Sequence, residues 1–329
     1  MKKGTILIKN NHHFSLLAIV VLLALIPLLG TNNYIIHLIE VTLVFTVLSL
    51  SLNVLSGFAG QISFGHAGFY AIGAYASALL EIKVGFPMEL SLLITLLGCA
   101  LIGVVVGYPI LRLRGHYLGM ATLAIGLLIQ QILNGWVSVT GGTDGMMVHS
   151  PILFGITLGK NYYYFLIVCA LATYLFCRGL KRSKVGLAMR TVREEEMGAK
   201  ALGINVTKYK VMAFAISSTL AGLAGIMYAH LNSFLNPDVF SLNTSIQILT
   251  MVIIGGLGSN RGAVMGAVLM SIVPELFQQY QGYHLLIYGV MLLLFLIFLP
   301  NGLVSIRLKR KDKGRVILEK EKGAGVAEQ

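Results

Sequence analysis

Apolar stretches of membrane-crossing length alternate along the chain with short polar connections. A helix needs about 20 apolar residues to span the hydrocarbon core. Ten runs reach or approach that length: Phe14 to Gly30, Tyr34 to Ser56, Ala67 to Ile82, Leu90 to Ile110, Tyr117 to Val137, Tyr162 to Phe176, Val211 to Leu231, Ser245 to Gly258, Gly262 to Phe277 and His284 to Leu299. The third, sixth, eighth and ninth are short. Short spans interrupted by glycine fit re-entrant or broken helices packed against protein, which leaves eight or nine complete crossings open. The pattern therefore predicts an all-α polytopic integral membrane protein with about ten transmembrane helices, some short and Gly-broken. Residues 1–306 form the membrane domain and residues 307–329 a basic, solvated tail. The first run follows Lys2, Lys3 and Lys9 as a signal peptide would, but no A-x-A-like site follows at Gly30, Thr31 and Asn32, so it is read as a retained helix.

Composition strengthens the membrane reading. A chain of 329 residues would suit two soluble domains, but 56% are hydrophobic and only 12% charged, too few charges to cover a water-facing surface. The net charge of +12 could suggest nucleic acid. The basic residues, however, are confined to a few loops and both ends. With the amino terminus inside and ten crossings, 23 Lys and Arg fall on the cytoplasmic side and only Lys83 and Lys160 outside, the bias that the positive-inside rule describes. Both termini and the charged stretch 181–210 are then cytoplasmic, and the Gly-rich stretch 138–160 external. Cys99, Cys169 and Cys177 sit in apolar runs without metal-ligand spacing, so neither a disulfide framework nor a zinc site is supported.

Ser56 to Tyr75, SGFAGQISFGHAGFYAIGAY, is unusual for a plain membrane anchor. Gly57, Gly60 and Gly65 let the backbone bend, and the freed backbone groups with Gln61 and Ser63 can face a polar cavity. Asn53, Gln61, Ser63, Gly65 and His66 are the candidate pathway residues here, joined by Gln247 in the eighth run. The competing reading is a tight turn with packing glycines, and for His66 an ordinary hydrogen-bonded histidine. Ala67, Ala71, Ala74 and Ala78 form one small-residue face, as do Ser218, Gly222, Gly225 and Ala229. Gly262 and Gly266 form a GxxxG pair, so close helix contacts are expected. Glu40 is the clearest ionisable group inside a span, with Glu275 near a helix end. Such scarcity argues against a proton- or sodium-coupled carrier. In Val185 to Lys210, the positions Met189, Val192, Glu196, Ala199 and Leu202 trace helical spacing toward Gly203, a natural breaker. That amphipathic helix either docks into a partner's groove or is a solvated loop helix. HExxH, CxxC, GxSxG and the Walker A loop are all absent, so energy from ATP would require another subunit. A membrane enzyme using His66 or His116 is a rival reading, but no nucleophile and base pair is visible.

Six strings in order complete the picture: SGFAGQISFGHAGFYAIGAY, LRLRGHYLGMATLAIG from Leu111, TGGTDG from Thr140, ALGINV from Ala201, GGLGSNRGAVMGA from Gly255 and PNGL from Pro300. From about Val41 to Ser305 the chain resembles the LivM-type permease subunit of branched-chain amino acid ABC importers. The resemblance implies a permease domain over 1–306 that works by alternating access. Its implied partners are a second, LivH-like permease, two ATPase subunits carrying ATP and Mg, and an extracytoplasmic binding protein, all at a bacterial or archaeal inner membrane. No cofactor is implied in this chain. The resemblance makes 181–210 a coupling loop, with Arg193, Glu194, Glu196, Gly198, Ala199 and Gly203 on its ATPase-contacting helix. Met197 stands where the EAA-type pattern has an acidic residue, with Glu196 one place earlier, and Gln247 stands where many members have Glu. Urea and short-chain amide importers have similar permeases, so the cargo stays open between these classes, and an ion-coupled secondary carrier is the rival mechanism.

Overall fold

The computed structural model describes residues 21–29, 32–113, 115–148, 151–153 and 156–276, with isolated positions at 289, 290, 293, 297 and 303. Residues 14–20 and 30 of the first predicted run, most of the tenth, most of PNGL, the side chain of Glu275 and the tail 307–329 lie outside the described residues.

Helix α1, Asn33–Leu52, is capped by the Asn32 side chain, which accepts from the Tyr34 N–H at 3.3 Å, and passes directly into a π-helical turn at Asn53–Phe58. After a non-helical stretch comes α2, His66–Ile82, and then α3, Met88–Ile110, and α4, His116–Gly135. The connection from α4 to α5, Tyr162–Arg182, carries the two-residue strands β1, Met146–Met147, β2, Ile152–Leu153, and β3, Ile156–Thr157. Two short helices follow, α6, Lys184–Glu194, and α7, Glu196–Ala201, before the long α8, Val206–Asn232. Strand β4, Phe234–Leu235, returns to pair antiparallel with β1, while β2 pairs with β3. Helices α9, Leu242–Gly255, and α10, Asn260–Leu276, close the described chain as a hairpin.

Among the described residues, five helices are long and apolar enough to cross a membrane: 33–58, α3, α4, α5 and α8. Helices α2, α9 and α10, with 17, 14 and 17 residues, are as short as expected. The sixth run is not. It continues six residues past Phe176 to Arg182, because Arg178, Lys181 and Arg182 end the apolar composition without ending the helix. Basic side chains in a last turn suit the negative helix terminus and extend away from the hydrocarbon.

Helix α8 is the hub, packed on α2, α3 and α1. Both small-residue faces read from the sequence meet here. A Cβ at Gly73 would overlap the backbone of Gly222, one at Gly225 would overlap the backbone of Tyr70 and Ala74, and one at Gly103 would overlap Ser218. These contacts bring helix backbones together, the route by which helices associate where lipid is no poorer a solvent than a neighbouring side chain. Gly266 likewise lies against the Met251 carbonyl, and Gly262 against Gly255, pinning α10 to α9. Buried hydroxyls complete the joints: Ser49 donates to the Ala263 carbonyl at 2.9 Å, Ser217 to Ser51 at 2.7 Å and Tyr162 to Met227 at 2.9 Å. By contrast α3 turns Leu97, Leu101 and Val105 outward, each more than 60% exposed, as expected of a lipid-facing stripe.

The loops gather at two opposite ends. At one, Lys83 donates to the Ser138 carbonyl and β4 clasps β1. At the other, the π-helical turn, the α9–α10 turn and the segment 181–205 meet.

Candidate translocation and coupling site

The break between α1 and α2 is built from glycine and paired polar groups. Asn53, fully buried, uses both ends of its carboxamide: Oδ1 accepts from the Gly258 N–H at 2.8 Å and Nδ2 donates to Asn260 Oδ1 at 3.2 Å. It therefore locks the π-helical turn to the α9–α10 turn. Gln61 is buried and donates to the Ala59 carbonyl at 3.0 Å, while its own carbonyl accepts from Ser56 at 2.9 Å. His66 is buried, with Nε2 2.6 Å from Ser51 Oγ. Because Ser51 spends its proton on the Leu48 carbonyl at 2.7 Å, the imidazole Nε2–H is the donor of that pair. Gly65 lies so close to the Thr122 carbonyl and Gly126 of α4 that a side chain would collide with backbone. Ser63 is buried with a hydroxyl that finds no partner among the described residues. Of the pathway candidates, then, Asn53, Gln61 and His66 are engaged in structure, Gly65 is a contact glycine, and Ser63 has an uncommitted polar group. Gln247 lies half-buried in the second turn of α9. A narrow crevice runs beside the break between Phe64, Ala67 and Gly68 and the start of α9 at Leu242 and Ser245, where Ser245 Oγ accepts from the Ala67 N–H at 3.0 Å.

The same break is gripped from below by the charged segment. Arg193, near the end of α6, donates through Nη1 to the Gly57 carbonyl, and its side chain passes Gly60 and Gly258, where a Cβ would strike it. Gly60 and Gly258 hold positive φ of 70° and 82°, a region that only glycine enters freely. Lys181 donates to the Gly258 carbonyl at 2.5 Å. Two cations thus reach carbonyl groups that the two broken turns leave without helical partners. The sequence marks Arg193 only as a member of the coupling helix and does not show these contacts. A basic residue at a loop helix carries no mark of the glycine carbonyl it will meet.

The predicted single helix through Met189, Val192, Glu196, Ala199 and Leu202 is corrected to two. Glu195 adopts an extended conformation, φ −156° and ψ 114°, and ends α6. The phase resets there. Met189, Val192 and Ala199 are buried, but Leu202 is 74% exposed and Met197 69% exposed. Glu196 pairs with Lys210, whose side chain is only 5% exposed against 31% for Glu196. Glu194 is exposed at the end of α6, Gly198 packs against the Glu195 side chain, and Gly203 takes φ 76° with nothing within 4 Å of a Cβ placed on it. Gly203 is therefore a left-handed stop after α7, as its position predicted.

His116 is exposed at the first residue of α4 and shares no hydrogen bond with His66 among the described residues. Glu40 lies 3.7 Å from His37 Nδ1, an i,i+3 neighbour on α1. Glu81 Oε1 lies 3.2 Å from His230 Nε2 in a buried pairing that sequence reasoning did not single out. In TGGTDG, Gly141, Gly142 and Gly145 all hold positive φ, and Gly145 abuts β4.

Over residues 34–298 the chain matches the family described as the branched-chain amino acid transport system permease component. It is 32% identical to the high-affinity branched-chain amino acid transport system permease protein LivM of Salmonella typhimurium, over 80% of this chain and 68% of that protein. To LivM of Escherichia coli it is 31% identical, over 90% of this chain and 76% of that protein. LivH of Salmonella typhimurium is 24% identical over 79% of this chain and 91% of that protein. No solved structure matches the chain.

Proposed function

The chain belongs to the permease-component family of branched-chain amino acid transport systems and is a multi-pass membrane protein, and from that premise we propose that it is one transmembrane half of an ATP-driven importer of leucine, isoleucine, valine or related amino acids. A zwitterionic amino acid cannot cross lipid unaided, because desolvating its charges costs many kcal/mol. The broken, small-residue-packed helices give it a shielded route that opens alternately to the two sides. About ten helices complete the conduit, with both termini and residues 181–210 on the cytoplasmic face of the inner membrane. Residues 138–160 face the binding protein on the outside. A LivH-like permease completes the pore, and two partner ATPases hold ATP and Mg; this chain performs no chemistry on its cargo.

One observation carries the coupling reading: Arg193 threads between Gly57, Gly60 and Gly258, so a push on α6 and α7 reaches the break in α1 and the α9–α10 turn without passing through flexible loop. The exposed Met197 and Leu202 supply the apolar face that an ATPase groove would cover. Rigid-body motion of the two-helix segment would then tilt the packed spans, a switch between two arrangements. The test is uptake by the reconstituted full transporter. Arg193→Ala should lower ATP-driven uptake about tenfold, the loss of one charge-assisted bond of roughly 1.5 kcal/mol, while binding-protein capture and ATPase co-purification persist. Unchanged uptake, or uptake by this chain alone on an ion gradient without ATP, would overturn the reading.

A further inference from the structure

Beside the coupling segment, the last turns of α5, the body of α6 and the start of α10 line an open cavity of about 440 Å³. Its charged walls are all of one sign: Arg178, Lys181 and Arg182 from α5, Arg190 from α6 and Arg261 from α10. Three ion pairs come within 4 Å among the described residues, and none includes any of these five. Lys181 and Arg190 are held by carbonyls, Lys181 on Gly258 and Arg190 on Lys181 and Gly186. The guanidinium groups of Arg178, Arg182 and Arg261 make no hydrogen bond or ion pair among the described residues. Arg178 and Arg182 stand at i and i+4 on one helix face, where like charges repel. The amino end of α10 opens on the same cavity, with Ser259 accepting from the Gly262 N–H at 3.2 Å, which adds the positive pole of a helix.

We propose that this cavity binds the phosphate headgroup of an anionic phospholipid from the leaflet on its side of the membrane. The reach of its lining along α5 favours lipid over a protein partner. Tyr174, which also lines it, stands two turns before Arg182, about 12 Å along the helix, and is still within the apolar run of α5. An acidic side chain of a soluble subunit would have to enter the headgroup layer to reach that level, whereas a phospholipid already sits there. On the flank of α5 roughly 100–120° round from Tyr174, Val168 and Leu175 are 63% and 48% exposed, a wall for the acyl chains. Basic pockets between transmembrane helices at an inner face suit such headgroups. A bound phosphate would tie α5, α6 and α10 together where Lys181 and Arg193 grip the broken turns, so the lipid would stiffen the base of the coupling segment. This inference rests on the membrane placement of α5 and not on the cargo or on ATP.

The experiment is native mass spectrometry of the full chain purified in mild detergent and titrated with mixed micelles of phosphatidylglycerol or phosphatidylcholine. Phosphatidylglycerol should be retained and phosphatidylcholine lost. The triple variant Arg178→Gln, Arg182→Gln, Arg261→Gln should raise the half-occupancy concentration roughly a hundredfold, as removal of three charges near a membrane surface implies. The triple Lys variant at the same positions should keep most of the binding. Arg112→Gln with Lys208→Gln, which removes two exposed charges outside the cavity, should change nothing. Equal retention by the Gln triple variant, or equal retention of both lipids, would overturn the proposal. So would displacement by excess inorganic phosphate, which would make free phosphate the ligand, or intact lipid retention with lost ATPase co-purification, which would make the cavity a protein-docking face.

Discussion

Single residues show how differently two glycines can matter. Gly65 is required by its neighbours, since the backbone of α4 occupies the place of its side chain. Gly203 is required by its own backbone, since φ is 76° and the space around it is open. The second case separates strain from bulk. Gly203→Asn should retain uptake, because Asn tolerates the left-handed region. Gly203→Val should lose several-fold, with substrate capture by the binding protein unchanged; equal uptake by the two variants in reconstituted vesicles would remove Gly203 from the coupling path. Gly203 was legible from the sequence because a helix-ending glycine declares itself by position. The role of Asn53 was not, because its two partners, Gly258 and Asn260, lie more than 200 residues away.

At the scale of elements, the sequence marked helices well and their charged ends poorly. The apolar runs place α2, α3, α4, α8, α9 and α10 within a few residues of their observed bounds, while α5 extends past its apolar run and the coupling segment divides at Glu195. The division gives the Glu196–Lys210 pair its work, anchoring α7 to the start of α8. Removing one partner strands a buried charge, and the cost should be about 2 kcal/mol, below the usual figure for a fully buried pair because Glu196 is partly solvated. Glu196→Gln should therefore lower the thermal midpoint in detergent by several degrees, and Glu196→Gln with Lys210→Met should recover most of it. A double variant whose losses simply add would show that the pair contributes nothing as a unit.

For the whole molecule, the two ends are chemically distinct, and the distinction can be read from solution. Thiol labelling of intact cells should reach Met147→Cys, whose parent side chain is 80% exposed, and spare Met197→Cys and Leu202→Cys, which should label only in inverted vesicles. Cys99 and Cys177 are buried and give little background, and Cys169, half-buried, is replaced by Ser in the labelling variants. Labelling of all three from one side would contradict the topology on which the coupling reading depends. Hydrophobic periodicity and charge asymmetry alone were enough to establish a polytopic helical membrane protein, its small-residue packing faces and its basic face, because those follow from the solvent each residue must meet. Only the tertiary structure decided what the basic face holds: Arg193 in a glycine slot, Lys181 on Gly258, and Arg178, Arg182 and Arg261 around one cavity. Such contacts join turns distant in sequence, and a local pattern carries no record of which carbonyls a long cationic side chain will meet when the helices pack.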